Sequence, residues 1–209
     1  LTERVILGPG CVAEGAAALC LIEPRFGHAL AATGPWPDRL RAGGFGALVD
    51  AIVSQQVSVA SARAIGGRVA AAGLTAPDAI RAATDEELRA CGLSRPKARY
   101  LRALAEAEID FEALATQDSD AVVARLVEVP GIGRWTAEIY ALFSLGRADA
   151  FPAGDLALQE GARMLFELPA RPTERALRDL AGAWSPWRGV AARGLWAYYA
   201  HEKGREGIG

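Results

Sequence analysis

The sequence predicts an all-α protein, on three observations. Small helix formers dominate its 209 residues. No segment sustains the alternation of β-branched and polar residues that marks a half-buried strand. Glycine or proline punctuates nearly every interval between helical stretches. In chain order, a first helix is expected over Val12–Ile22, and Pro24 opens a second over Pro24–Thr33. Gly34-Pro35-Trp36-Pro37 and Gly43-Gly44 hold the chain out of helix until Phe45–Gln55. Val57–Ala72 follows and ends at Gly73. Ala76–Ala83 and Asp85–Cys91 lead to Gly92, and Pro96 begins Pro96–Ala107. Phe111–Ala115 and Asp118–Val127 precede the break at Pro130, Gly131 and Gly133, after which Arg134–Leu145 runs to Gly146. Pro152 and Gly154 introduce Leu156–Glu167. Beyond Pro169 and Pro172 come Thr173–Ala183 and Pro186–His201.

With 51% of its residues hydrophobic, the chain can bury a substantial core, as one domain or as two close-packed lobes. Gly34–Pro37 with Gly43-Gly44, and Gly146-Arg147-Ala148-Asp149, read as connections and favour two lobes. No apolar run approaches the length that spans a bilayer, and Leu1-Thr2-Glu3-Arg4 lacks the layout of a signal peptide, so a cytoplasmic monomer without membrane contact is expected. Cys11, Cys20 and Cys91 are too scattered for a zinc knuckle and are expected as reduced thiols. His28 and His201 are isolated, and no metal-ligand spacing appears. The formal charge of -2 means that any nucleic-acid contact must come from a local patch. One such patch lies between Glu87 and Glu106, where no acid occurs but Arg89, Arg95, Lys97, Arg99 and Arg102 do. Arg95, Arg99 and Arg102 share a helix face, which is also what a merely solvated face would show.

The most informative stretch is Val129-Pro130-Gly131-Ile132-Gly133-Arg134-Trp135-Thr136-Ala137. Pro130 fixes φ, the glycines permit turn geometries closed to other residues, and the helix starting at Arg134 points unpaired N–H groups at the turn. Leu126, Val127 and Val129 before it, with Ile132, Ala137, Tyr140, Ala141 and Leu142 after it, make the apolar stripes of a helix–hairpin–helix, about residues 118–145. A phosphate fits that helix N-terminus. Ser54-Gln55-Gln56-Val57-Ser58 places two amides between apolar helices, an odd choice if packing were the only demand.

With Asp155 about twenty residues past the hairpin, and Gln55-Gln56-Val57-Ser58 upstream, the sequence resembles the helix–hairpin–helix DNA glycosylases. The resemblance is closest to their alkylation-repair branch, the 3-methyladenine DNA glycosylase II type, and runs from roughly Phe45 to the C-terminus. It implies a two-lobed helical bundle with the active cleft between the lobes, residues 1–44 packing with 148–209 and 45–147 forming the central lobe. The resemblance is to the short form, in which the β-rich N-terminal domain of some relatives is not expected. Cluster-bearing branches hold iron–sulfur with four cysteines near the C-terminus; no cysteine follows Cys91, so no iron–sulfur cluster is expected.

The resemblance assigns the catalytic carboxylate to Asp155, in Phe151-Pro152-Ala153-Gly154-Asp155-Leu156, where it would equally serve as an N-cap. Breaking an N-glycosidic bond builds positive charge on the deoxyribose, which a fixed carboxylate stabilises. A cationic alkylated base departs neutral, so no second acid is required. Bifunctional relatives carry a Schiff-base lysine where this chain has Trp135, which implies hydrolysis without a lyase step. Trp135 and Trp196, the latter in Gly194-Leu195-Trp196-Ala197-Tyr198, match pocket tryptophans that would stack on a flipped cationic purine, whereas Trp184, Trp187 and Tyr199 are expected in the core.

The same resemblance makes Gln55, Gln56 and Ser58 a reading head in damaged double-stranded DNA, with Gln56 filling the gap left by the flipped nucleotide. Gly131, Gly133, Arg134 and Thr136 would grip a phosphate. A Na+ or K+ ion would bridge hairpin and phosphate through the carbonyls of Val127, Val129 and Ile132 when DNA is bound; catalysis itself needs no cofactor. The reading is therefore a monofunctional glycosylase for 3-methyladenine or 7-methylguanine type purines. Its rivals are the same fold acting on uracil, hypoxanthine or oxidised bases, and a non-catalytic module that only recognises damaged DNA.

Overall fold

The computed structural model describes residues 3–204. Among them are thirteen α-helices: α1 Pro9–Ile22, α2 Arg25–Thr33, α3 Phe45–Ser54, α4 Val59–Ala71, α5 Pro77–Ala82, α6 Asp85–Ala90, α7 Arg95–Glu106, α8 Phe111–Thr116, α9 Ser119–Val127, α10 Arg134–Phe143, α11 Leu156–Leu165, α12 Glu174–Ala181 and α13 Arg188–Glu202. The all-α expectation holds: extended pairing among the described residues is an isolated bridge between Val5 and Arg147. None of these helices is long and apolar enough to cross a membrane.

Capping chemistry sets several boundaries. α4 starts at Val59, later than expected from Val57, because Ser58 accepts the Ser61 N–H at 3.2 Å and closes the first turn. Asp118 caps α9 in the same way through Ala121 N–H at 2.9 Å. Thr84 and Glu87 form a reciprocal capping box on α6. The predicted helix Thr173–Ala183 gives way after α12 to a 3-10 turn at Gly182–Trp184, and the last predicted helix, Pro186–His201, is α13, which starts two residues later at Arg188.

The chain divides into two compact units, Leu1–Leu40 with Ala141–Gly209, and Arg41–Tyr140. The sequence reading drew these limits at 44/45 and 147/148. In the first unit, α13 packs along α11 and α2, and α1 packs on α2. Its core is aromatic: Phe26 meets Trp36, Phe166 and Trp184 edge to face with centroids 5.1–6.1 Å apart, and Phe166 stacks on Trp184. Trp184 and Trp187 are buried, as expected of core residues. α11 meets the backbone of α13 at Gly161, where a Cβ would stand 2.6 Å from the Leu195 carbonyl oxygen.

In the second unit, α7 packs against α3, α5 and α6, and α3 against α4. The apolar face of α7, with Ala98, Leu101, Leu104 and Ala105, is buried there. Tyr140, near the end of α10, accepts the Gly44 N–H at 2.9 Å, which fixes the start of α3. Burial pushes the Tyr140 hydroxyl pKa up, so the phenol stays neutral across the physiological range.

Gly161→Ala is expected to push α11 off α13 and to destabilise the protein by about 1–3 kcal/mol, read as a lowered denaturant midpoint. An unchanged midpoint would show that the helices are not held at backbone contact.

Candidate active site

The residues singled out in the sequence form two groups, one in each unit. The first group surrounds Asp155. Asp155 N–H donates to Pro152 O at 2.9 Å and Ala153 N–H to Phe151 O at 2.9 Å, so the loop entering α11 is tightly turned. The carboxylate then caps the helix: Oδ1 accepts the N–H groups of Ala157 and Leu158, both at 2.9 Å. A third donor reaches the same oxygen, the Trp196 indole N–H at 3.1 Å. Asp155 is only 8% exposed, and three directional bonds to one oxygen fix the orientation of its carboxylate plane.

Trp196 calls for a correction. A platform for a flipped base needs an open ring face, but this indole is 4% exposed and stacks on Phe143 with centroids 5.7 Å apart. The role visible in the structure is to orient Asp155. Behind it lies a column that sequence reasoning missed. The Arg193 guanidinium stands 5.0 Å from the centroid of the Phe143 ring, on the residue that stacks with Trp196. Arg193 is 2% exposed and donates to the carbonyls of Asp38, Gly189 and Leu142. Burial lowers its pKa to about 10, which still leaves it cationic at neutral pH. Gln159, also missed, is buried on the second turn of α11 and holds the Ala153 carbonyl at 2.9 Å. A lone cation among Val190, Ala191, Ala192, Gly194 and Leu195 was the available signal for Arg193, whereas Gln159, beside Glu160, gave none.

The second group is the hairpin with the glutamine turn. Val129 N–H donates to Leu126 O at 3.1 Å and Ile132 N–H to Val129 O at 3.0 Å, so the chain reverses within a few residues between α9 and α10. Gly131 has φ 93°, which side-chain-bearing residues rarely adopt, and the Tyr100 ring lies against its Cα where a Cβ would have to go. The N–H groups of Gly131, Gly133 and Arg134 donate to no backbone carbonyl among the described residues. They are the orphan donors an anion can use at the start of α10. The Arg134 side chain pairs with Glu138 at 2.9 Å. Trp135 is 47% exposed, so it is not the core tryptophan that packing alone would predict.

The glutamine turn is joined to this hairpin, since Gln55 Nε2 donates to the Gly131 carbonyl at 2.8 Å. Lys97 steadies the turn from α7 by donating to Val53 O at 2.7 Å; desolvation lowers the pKa of its ammonium. Gln56 is exposed and sits at φ 56°, a left-handed conformation that costs a non-glycine residue about 1–3 kcal/mol. Ser58 is exposed, as a contact residue must be, whereas Thr136 is buried and not open to solvent. The Ser58 hydroxyl is engaged as the α4 cap and donates to Ser61 Oγ at 3.0 Å.

Residues 49–186 match the HhH-GPD superfamily of base excision DNA repair proteins. The chain belongs to that superfamily. The DNA-3-methyladenine glycosylase 1 of Schizosaccharomyces pombe is 35% identical over 158 residues, 71% of this chain and 69% of the relative. The probable bifunctional transcriptional activator/DNA repair enzyme AlkA of Mycobacterium tuberculosis is 38% identical over 166 residues, 73% of this chain but 33% of that longer protein. A solved Schizosaccharomyces pombe 3-methyladenine DNA glycosylase in complex with abasic DNA superposes with a TM-score of 0.76 at 30% identity, over 91% of this chain and 97% of the other. The HhH-GPD match covers the glutamine turn, the hairpin and Asp155, and ends before Arg193 and Trp196.

Trp196→Phe removes the indole donor while keeping a ring beside Phe143. A loss of about 1.5–3 kcal/mol in unfolding free energy at neutral pH is expected, the scale of a hydrogen bond to a charged group. A stability equal to that of the unmodified protein would mean that the bond to Asp155 contributes nothing.

Proposed function

We infer that the protein is a DNA glycosylase of base excision repair that everts alkylated purines of the 3-methyladenine or 7-methylguanine class and hydrolyses their N-glycosidic bond. The observation that carries this reading is the Asp155 carboxylate, held rigid by two backbone N–H groups and an indole N–H within a superfamily of base excision repair proteins. As the bond between C1′ and the base nitrogen breaks, its electron pair leaves with the base, and a cationic alkylated purine departs neutral. The carboxylate stabilises the cationic sugar and takes the proton of the water that attacks C1′. Because its orientation is set beforehand, no reorganisation is needed when the charge appears.

The partner is double-stranded DNA carrying a damaged base, bound by one copy of the chain. The orphan N–H groups of Gly131, Gly133 and Arg134 take a backbone phosphate. The oxygens of Val127 and Ile132, which accept no backbone hydrogen bond among the described residues, and of Val129 would hold a Na+ or K+ ion. That neutral all-oxygen set suits such a cation, which would add positive charge beside the phosphate. Gln56 fills the vacated stack. Trp135 offers an exposed indole to the cationic base, an attraction worth about 0.5–2 kcal/mol that a neutral base gains less from. Because an indole cannot form a Schiff base, no strand-cleaving lyase step follows.

A second reading has one observation in its favour: Asp155 caps α11, which would be its whole role in a module that only binds damaged DNA. Asp155→Asn separates the two, since asparagine caps as well as aspartate and keeps an acceptor for Trp196. Bases released from methylated DNA, separated by chromatography, are expected to fall about 100-fold or more with abasic-duplex binding retained. Equal release by the variant would remove Asp155 from the chemistry. Borohydride reduction during turnover is expected to trap no protein–DNA adduct; a trapped adduct would overturn the monofunctional assignment.

A further inference from the structure

We propose that an arginine-lined groove between α6 and the first half of α7 is a second phosphodiester-binding surface, engaging the DNA backbone in addition to the phosphate at the hairpin. It rests on the DNA glycosylase reading above. The groove has a volume of about 350 Å³ and is lined by Asp85, Arg89, Arg95, Ala98, Arg99 and Arg102. Two of its guanidinium groups are already committed. Arg102 donates to Ala83 O at 2.8 Å and to Asp85 Oδ1 at 2.9 Å, and Arg89 pairs with Glu86. Arg95 and Arg99 are exposed and pair with no carboxylate among the described residues. The groove therefore presents two unneutralised cations one helical turn apart, backed by two more whose positions are fixed.

This arrangement runs against what folding alone favours. Arg95 and Lys97 occupy the first turn of α7, which contains no acid, and Ser94 makes no side-chain cap. Cations at that end are opposed by the helix macrodipole, so an anion in the groove relieves a repulsion built into the fold. Phosphate matches the donor set, because guanidinium groups bind its oxygens in pairs.

The groove's place in the second unit identifies the source of that phosphate. The Arg99 guanidinium carbon stands 5.5 Å from the centroid of the Tyr100 ring, which lies against Gly131 of the hairpin. Lys97, in the same stretch of α7, holds the carbonyl of Val53 two residues before Gln55. One helix thus braces the hairpin and the glutamine turn and lines the groove, which is what would bring a duplex engaged by the first two to the third.

The test is equilibrium binding of the whole chain to a duplex with a stable abasic analogue, as salt is raised from about 50 to about 200 mM. Each lost phosphate contact reduces the slope of log K against log salt by about 0.9, so Arg95→Ala/Arg99→Ala is expected to be shallower by about 1.8. The charge-matched control Arg171→Ala/Arg175→Ala, exposed positions near α12, is expected to keep the full slope. All four side chains are exposed, and matching circular dichroism checks that each variant is folded. A double variant with the slope of the unmodified protein, or a control that loses as much, overturns the groove; the first outcome would leave it to an acidic partner other than DNA. Base release by the unmodified protein is scored separately on methylated DNA. Its absence overturns the glycosylase reading, whereas release together with an unchanged slope overturns the groove alone.

Discussion

One carboxylate oxygen does two jobs on which the rest of the first unit depends. Asp155 Oδ1 closes the start of α11 by taking two N–H groups, and it takes the indole proton of Trp196 from α13. The two helices pack at backbone distance along Gly161, so a donor on one reaches an acceptor at the mouth of the other. Fixing a charged group this way costs conformational entropy and desolvation, and three directed bonds offset both. The same rigidity is what electrostatic catalysis requires, and for this reason cap and catalyst are compatible roles for one residue.

The second unit solves a different problem, that of holding irregular backbone still. The hairpin and the glutamine turn are irregular segments of this unit, and each is clamped by side chains. Tyr100 supports Gly131 from behind, Gln55 holds the Gly131 carbonyl, and Lys97 holds the last turn of α3. Two of these three clamps come from α7, whose apolar face is sunk in the core. Orphan N–H groups at the start of α10 can then face solvent without the turn relaxing to satisfy them internally.

The sequence made the helices legible because glycine and proline interrupt them at almost every end; some starts were missed where a polar side chain sets them, and α1, expected from Val12, begins earlier at Pro9 with no side-chain cap. Ser58 and Asp118 pulled α4 and α9 inward by taking first-turn N–H groups. Asp155 and the two hairpin glycines were legible because their roles are local: a cap after Pro-Ala-Gly, and turn residues ahead of a helix. What escaped depends on partners far along the chain. The Trp196 bond to Asp155 joins residues 41 apart, and the Gln55 bond to Gly131 joins residues 76 apart. Neither leaves a periodic trace. Trp196 was therefore read as a stacking surface, when burial and a hydrogen bond make it a support. Arg193 was overlooked because a cation in an alanine-rich helix reads as a solvated face until its carbonyl partners are seen.

The glutamine turn is tied down on both sides of its apex: Gln55 to the hairpin carbonyl and Ser58 to the head of α4, with Gln56 exposed at a left-handed backbone angle between them. Frame and tip are thereby uncoupled. Asparagine or glycine could replace Gln56 with little backbone penalty, while a β-branched residue would resist that angle. The residue at the tip can therefore change in evolution without any rebuilding of the scaffold that carries it.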